Sequence, residues 1–325
     1  MICVNSDIDN PFFNLASEEY LLKNKKEDVF LLWVGTPSII VGKHQNTLGE
    51  INYNFTRNNG IDVARRLSGG GTVYHDEGNL NFTWIMNGEL GKLVDFKKFI
   101  NPIIDFLNDL NLHAEYGGRN DIIIQNKKVS GNAEHVYKNR TLHHGTLLFN
   151  SNLKNLRSSL EIDKNKYTDK AVKSVPHPVG NISNFLKKKM SFDEFRSRLF
   201  TYILKLNKKN TIYNFKDEEI NLINRLKKEK YETWNWNFGY SPKYSFRNFV
   251  MINHEESEIS FEVSKGILSR VNCKHLKNKL LRNFIENSLE NSFHHEEDII
   301  KRMHESNQNG LLGKFDIESF VKRIF

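Results

Sequence analysis

Cysteine is nearly absent. Cys3 and Cys273 are the only two in 325 residues, too few and too far apart for a disulfide scaffold or a Cys-rich zinc site. A reducing cytoplasm is the simplest home for such a chain. No apolar run approaches the roughly 18 residues that a transmembrane helix needs. The opening Met1-Ile2-Cys3-Val4-Asn5-Ser6-Asp7 has neither the basic n-region nor the apolar h-region of a secretory signal. Nucleotide fingerprints are missing too. Neither G-x-x-x-x-G-K-[ST] nor a G-x-G-x-x-G opening a helix occurs, so any nucleotide must be held another way. H-E-x-x-H is absent, and His294-His295 lies among acidic residues without ligand spacing, which speaks against a structural metal. The net charge of +8 comes without a helix-turn-helix, zinc-finger or RNP signature, so nucleic acid is not an expected partner.

What is present reads as globular. The chain carries 23 Phe, 11 Tyr and 4 Trp, enough aromatic surface for a core and too much for a wholly disordered chain. Its length suits two domains. Asn10 is placed to cap a helix with Pro11 in its first turn, and Phe12, Leu15, Ala16 and Leu22 then recur at helical spacing. Strands are expected at 30–34, 38–41, 61–66, 79–85, 121–125 and 142–150, and helices at 96–110, 153–160, 192–206 and 216–229. After Trp234-Asn235-Trp236-Asn237-Phe238-Gly239, the alternation of Ile259, Phe261 and Val263, the Lys265-Gly266 turn and the run 267–271 predict a hairpin, followed by short helices. Strands and helices mix without strict βαβ alternation, which predicts α+β.

Three segments concentrate chemistry. In Arg65-Arg66-Leu67-Ser68-Gly69-Gly70-Gly71-Thr72-Val73-Tyr74-His75, consecutive glycines between strands let backbone approach a ligand and form an anion nest, and arginine forks suit phosphate or carboxylate. Taken alone, a hairpin loop with solvated arginines fits equally well. Gly118-Arg119-Asn120-Asp121 puts a carboxylate at the start of a strand, where it could support a Mg²⁺–phosphate unit, and Lys127-Lys128-Val129-Ser130-Gly131-Asn132-Ala133 puts a lysine beside a small Ser-Gly-Asn turn. Such a lysine can meet a carboxylate and a phosphate as a point charge, and spacing alone does not separate it from an ordinary hairpin lysine. In Leu142-His143-His144-Gly145-Thr146, strand alternation puts His144 and Thr146 on one face and His143 on the other.

Together these segments resemble the lipoate–protein ligase A family. Arg65-Arg66-x-Ser68-Gly69-Gly70-Gly71-x-Val73-x-His75-Asp76-x-Gly78-Asn79 is similar to its lipoate-binding loop. Gly118-Arg119-Asn120-Asp121 followed by Lys128-Val129-Ser130-Gly131-x-Ala133 resembles its lysine motif, and His143-His144-Gly145-Thr146-Leu147-Leu148 a later strand. Asn14-Leu15-Ala16-x-Glu18-Glu19, Gly42-Lys43-x-Gln45-Asn46 and Trp236-Asn237-Phe238-Gly239 are supporting matches. The resemblance implies a biotin/lipoyl-protein-ligase-like α+β catalytic domain over 1–243, a mixed sheet flanked by helices, and a small α+β accessory domain over 244–325. It implies that lipoate and ATP give lipoyl-adenylate and pyrophosphate, and that a lysine of a lipoyl domain of a 2-oxoacid dehydrogenase E2 subunit, or of the glycine-cleavage H protein, then takes the lipoyl group. The expected catalytic residue is Lys128. Lipoate contacts are expected from Arg66, Ser68, Gly69, Gly70, Gly71, His75, Lys128 and His144. ATP contacts are expected from Lys43, Arg66, Gly71, Thr72, Val73, Tyr74, Asn120, Asp121, Lys128 and Ala133, with Asp121 toward Mg²⁺. A cytoplasmic monomer away from membranes is the expected form.

One segment departs from the pattern. Where the family usually has Ser-Val-Arg-Ser-Arg-Val, this chain has Ser174-Val175-Pro176-His177-Pro178-Val179, and proline supplies neither charge nor N–H. Lys170 or Lys173 is one available substitute charge. The other reading is a lipoyltransferase that uses preformed lipoyl-adenylate or a lipoylated carrier protein. A cysteine-dependent amidotransferase is disfavoured, since Cys3 and Cys273 both lie outside the motifs. So is a biotin ligase, whose Gly-Arg-Gly-Arg loop is replaced here.

Overall fold

The computed structural model describes residues 1–88, 93–118, 120–307 and 315–325. They form two compact units. The first comprises Met1–Lys43, Gly60–Arg157 and Ser174–Thr233; the second comprises His44–Asn59, Ser158–Lys173 and Trp234–Phe325. Segments 44–59 and 158–173 thus belong with the C-terminal region although they lie far upstream of position 243, so compactness follows a discontinuous path along the chain.

The first unit is built on an eight-stranded mixed sheet. Its order is Thr211–Ile212, Ile2–Asn5, Val29–Val34, Asn79–Asn87, Arg140–Leu148, Lys127–Tyr137, Asp121–Ile124, Glu115–Tyr116. Ile2–Asn5 runs parallel to both neighbours and the remaining pairs are antiparallel. A three-stranded sheet places Ser38–Val41 between Asp62–Arg65 and Val73–His75. Asn10 caps the Pro11–Asn24 helix through Phe13 N–H, as its sequence predicts. The Phe96–Asp109 helix buries Phe99, Ile100, Ile103, Phe106 and Leu107 against Phe30, Phe82 and Trp84 of the sheet. Burying that many large apolar side chains, at ~1.5–3 kcal/mol each, is what holds helix to sheet.

Two elements differ from the sequence reading. Lys127–Tyr137 is one continuous strand, with no Ser-Gly-Asn turn inside it. Glycine and asparagine disfavour strands, but here Asn132 Nδ2 donates to Asn120 O (2.8 Å) and Ser130 Oγ (3.1 Å), so tertiary bonds override propensity. The 216–229 helix ends at Leu226 and continues as a wider π turn over Lys227–Tyr231. That turn brings Lys230 Nζ and Tyr231 Oη each to 2.7 Å from Glu19 Oε2.

The second unit holds a four-stranded sheet, Tyr167–Asp169, Tyr244–Ile252, Glu255–Ser264 and Ile267–Lys274, with the Lys279–Leu289, Glu296–Ser306 and Ile317–Val321 helices. The expected hairpin is present, extended by the strand Tyr244–Ile252. Phe246, Phe261, Ile285 and Ile299 sit in its core. The overall class is α+β, as the sequence implies.

Candidate active site

All the site residues expected from sequence lie in the first unit. The glycine loop joins Asp62–Arg65 to Val73–His75. Gly70 has φ +86°, a left-handed conformation that glycine adopts without steric cost. Arg66 does not project into solvent. It is 5% exposed and spends its fork on the loop: Nη2 donates to Gly69 O (2.5 Å) and Gly71 O (2.7 Å), Nη1 to Ile40 O (2.9 Å) and Nε to Ser68 Oγ (3.0 Å). Burial pulls the Arg66 pKa down to about 10, against the opposing charge of Glu18. Arg65 anchors the strand end by donating to the carbonyls of Gly42 and Lys43, 3.0 Å each. Ser174 closes over the loop: its Oγ accepts from Thr72 N–H at 2.9 Å, and a Cβ on Gly71 would come within 3.1 Å of it.

A second group crosses from the loop to the sheet. Ser68 Oγ lies 2.6 Å from His144 Nε2, and His144 Nδ1 lies 3.0 Å from Glu18 Oε2. Glu18 Oε1 also accepts from Thr83 Oγ1 at 2.5 Å and from Trp33 Nε1 at 3.4 Å. His75 is sealed in beside them, its ring edge-on to Trp33 at 5.4 Å. Neither of its ring nitrogens has a hydrogen-bond partner among the described residues. Burial, then the charge of Arg66, pushes its pKa down to about 3, so His75 is a neutral imidazole. Tyr74, the preceding residue on the strand, is also buried, and burial raises its phenol pKa.

The lysine segment completes this face. Lys128 Nζ pairs with Asp121 Oδ1 at 2.8 Å. Ala133 stands opposite His144 in the register, and Gly131 is two residues away on the same strand face. A Cβ on Gly131 would meet Lys128 Nζ at 3.1 Å, and one on Gly70 would meet Ala133 Cβ at 3.9 Å. The ammonium, the glycine loop and His144 therefore gather over one face of the sheet. The Pro176–Pro178 segment runs alongside. Lys128 N–H donates to Pro178 O (2.8 Å), Gly180 N–H donates to Lys128 O (3.0 Å), and Val179 bridges in parallel. Proline fits here because only its carbonyl is used. His177 Nε2 lies 4.0 Å from Asp121 Oδ2.

His143 points to the opposite face, as alternation predicts, stacking on Phe99 at 4.9 Å. It bonds Glu134 (2.9 Å) and Asn132 (3.2 Å). Burial disfavours charge on both ionisable partners: the His143 pKa falls well below its ordinary value and the Glu134 pKa rises to about 7. Below pH 7 the contact is a hydrogen bond between neutral groups. Gly145 is required between the histidine pair and the next strand, since a Cβ there would fall 2.1 Å from Asn132 Oδ1.

Asn120 Nδ2 donates to Asn132 O, and Asn132 N–H donates to Asn120 O at 3.0 Å, so Asn120 closes the strand end beside Asp121. Arg119 lies outside the described residues. Lys43 meets the loop through its backbone, N–H to Ser68 O at 2.8 Å. Lys173, a possible substitute charge, belongs to the second unit and pairs there with Asp169 at 2.9 Å. Glu18 and Ser174 take part in the loop's bonding although sequence reasoning assigned them no role. The one signal for Glu18 was its place in the Asn14-Leu15-Ala16-x-Glu18-Glu19 match.

A glycine loop braced by a buried arginine lies against a lysine–carboxylate pair on a mixed sheet. The profile of the lipoyl protein ligase A/B catalytic domain matches residues 10–204. The lipoate–protein ligase LplJ of Bacillus subtilis is 41% identical over 274 residues, 83% of this chain and 82% of that protein. Two solved structures share the fold at 24% identity. The lipoate complex of P. falciparum LipL1 superposes with a TM-score of 0.63 over 99% of each chain. A chain from the bipartite lipoate protein ligase and E2 lipoyl domain system of Thermoplasma acidophilum gives 0.63 over 74% of this chain and 96% of its own. This chain belongs to the lipoate–protein ligase family.

Proposed function

We infer that the chain activates lipoate with ATP, giving lipoyl-adenylate and pyrophosphate, and then transfers the lipoyl group to a specific lysine of an acceptor protein. One observation carries the placement of this chemistry: Lys128, the glycine loop and His144 gather over a single face of the sheet. The carboxylate oxygen of lipoate attacks the α-phosphorus of ATP, and the bond to pyrophosphate breaks. The acceptor's free amine then attacks the adenylate carbonyl; a C–N bond forms, the C–O bond breaks with its electron pair going to the phosphate oxygen of departing AMP, and the amine's proton is released to solvent. A fixed ammonium at Lys128 lowers the repulsion between carboxylate and phosphate and stabilises charge that grows in both steps. At rest that charge is held by Asp121.

Lipoate is assigned to Arg66, Ser68, Gly69, Gly70, Gly71, His75, Lys128 and His144. Arg66 acts by shaping the loop, and His75 has two ring nitrogens to offer. ATP is assigned to Lys43, Arg66, Gly71, Thr72, Val73, Tyr74, Asn120, Asp121, Lys128 and Ala133. Mg²⁺ enters as the substrate Mg-ATP, carried mostly by phosphate oxygens; Asp121 is the carboxylate offered to it. Residues 1–243 form the catalytic domain and 244–325 the accessory domain in this reading. Acceptors are lipoyl domains of E2 subunits or the glycine-cleavage H protein, and the enzyme works as a cytoplasmic monomer.

The Pro176-His177-Pro178 run favours a second reading, transfer from preformed lipoyl-adenylate or a lipoylated carrier. The full chain is given an unmodified lipoyl domain or H protein with three donors in turn: lipoate and Mg-ATP, lipoyl-adenylate, or a lipoylated carrier. Acceptor modification from lipoate and Mg-ATP supports the ligase. Modification confined to the other donors sinks it in favour of the transferase.

A further inference from the structure

We propose that Glu18 is a positioning residue for the glycine loop, acting as the remote counter-ion of Arg66 through His144 and Ser68. The proposal rests on the ligase reading for its kinetic consequence. Arg66 is buried, and among the described residues no carboxylate lies in ion-pair contact with it. A buried guanidinium without compensation is costly. Glu18 is likewise buried, at 3% exposure. The two charges are joined by neutral links whose donors all run one way. Arg66 Nε–H donates to Ser68 Oγ (3.0 Å), leaving the Ser68 O–H to donate to His144 Nε2 (2.6 Å), while His144 Nδ1–H donates to Glu18 Oε2 (3.0 Å).

The direction is set at the carboxylate end. An ionised carboxylate only accepts, and Glu18 Oε1 already receives Thr83 Oγ1–H and Trp33 Nε1–H. His144 must therefore carry a proton on Nδ1, and in the neutral ring of this proposal Nε2 is then the acceptor of the Ser68 hydroxyl. A chain ending in opposite charges is polarised along its length, so each bond strengthens the next. The far end of the chain is the fork that holds the Gly69 and Gly71 carbonyls. Glu18 thereby orders a loop that it reaches through one intervening side chain, His144. His75 and His135 are the histidines near His144 on its own face, both of lowered pKa, and Glu18 is its carboxylate partner.

The test uses the full chain as wild type, Glu18→Gln, Ser68→Ala and the double variant. Lipoate-dependent ATP–pyrophosphate exchange and thermal unfolding are measured, and ¹⁵N-histidine NMR reads the His144 tautomer. The wild type is expected to show the Nδ1–H tautomer. Each single variant should lose about tenfold in kcat/KM, the scale of a charged hydrogen bond. The double variant should lose no more than the worse single, because both cut one chain. An Nε2–H tautomer or a doubly protonated His144 ring in the wild type overturns the proposal. So do losses that multiply to about a hundredfold in the double variant, or a lowered Tm with kcat/KM unchanged, which is the mark of a merely structural glutamate. If Glu18→Gln does not fold, the wild-type tautomer still decides. If the wild type makes no adenylate, the ligase reading fails while the tautomer result stands by itself.

Discussion

His294 in the second unit and His75 in the first are both sealed from solvent, at 1% and 3% exposure. Burial depresses both pKa values, to about 4 and about 3. Their surroundings differ. His294 is satisfied at both nitrogens, with Tyr244 Oη 2.6 Å from Nδ1 and Ile324 O 2.8 Å from Nε2, and it packs against Phe325 at 4.4 Å. His75 has no partner at either nitrogen among the described residues. The first arrangement closes a core. The second leaves polar capacity in a dry place, which stability alone does not reward and which a ligand can use. Burial and pKa do not separate the two histidines; satisfaction of their nitrogens does.

The largest effect that sharpens this contrast comes from charge reversal in the first unit. Lys128→Glu places two carboxylates together beside Asp121 and is expected to abolish both adenylate formation and transfer, read as pyrophosphate release and acceptor mass; activity retained above background breaks the assignment. The histidine pair comes next. His294→Phe leaves Tyr244 Oη and Ile324 O unpaired and is expected to cost about 2–4 kcal/mol in denaturant unfolding. His75→Phe removes two unsatisfied nitrogens, so its stability should stay within about 1 kcal/mol or rise, while lipoate affinity falls. Equal destabilisation by the two substitutions would erase the comparison.

The smallest effect is the response to pH near neutrality. Both histidines have folded pKa values below the ordinary 6.5. The unfolded chain takes up protons first as pH falls, so stability present above about 6.5 is lost toward the folded values, by under about 1 kcal/mol per histidine between pH 7.5 and 6. Glu134 acts in the opposite sense. Its pKa is raised from 4.5 to about 7, so the stability it contributes is complete below 4.5 and is lost as pH rises through 7. Unfolding followed separately in each unit should therefore show opposed acid and base limbs in the first and an acid limb in the second. A second-unit transition insensitive to acid contradicts the His294 account.

Much of the site was legible in sequence because its signals are local. Asn10 before Pro11, three glycines between strands, and the alternation of His143 and His144 each need only neighbours to be read. What escaped depends on distance along the chain. The strand through Gly131 and Asn132 exists against propensity, held by bonds to Asn120 and Ser130. Glu18 meets His144 across 126 positions, and the second unit gathers three separated segments. Arg66 illustrates a subtler limit. Residue type suggested a fork aimed at a ligand, whereas the fork is turned onto the loop's own carbonyls.

The most direct test of the claim that the ligand chemistry resides at the first unit's glycine loop is a titration of the ¹⁵N-histidine-labelled full chain with lipoate and a non-hydrolysable ATP analogue. The account expects the His75 and His144 resonances to move with saturation while His294 stays fixed. A His75 signal unmoved at saturating ligand, or a shift confined to His294, would contradict it.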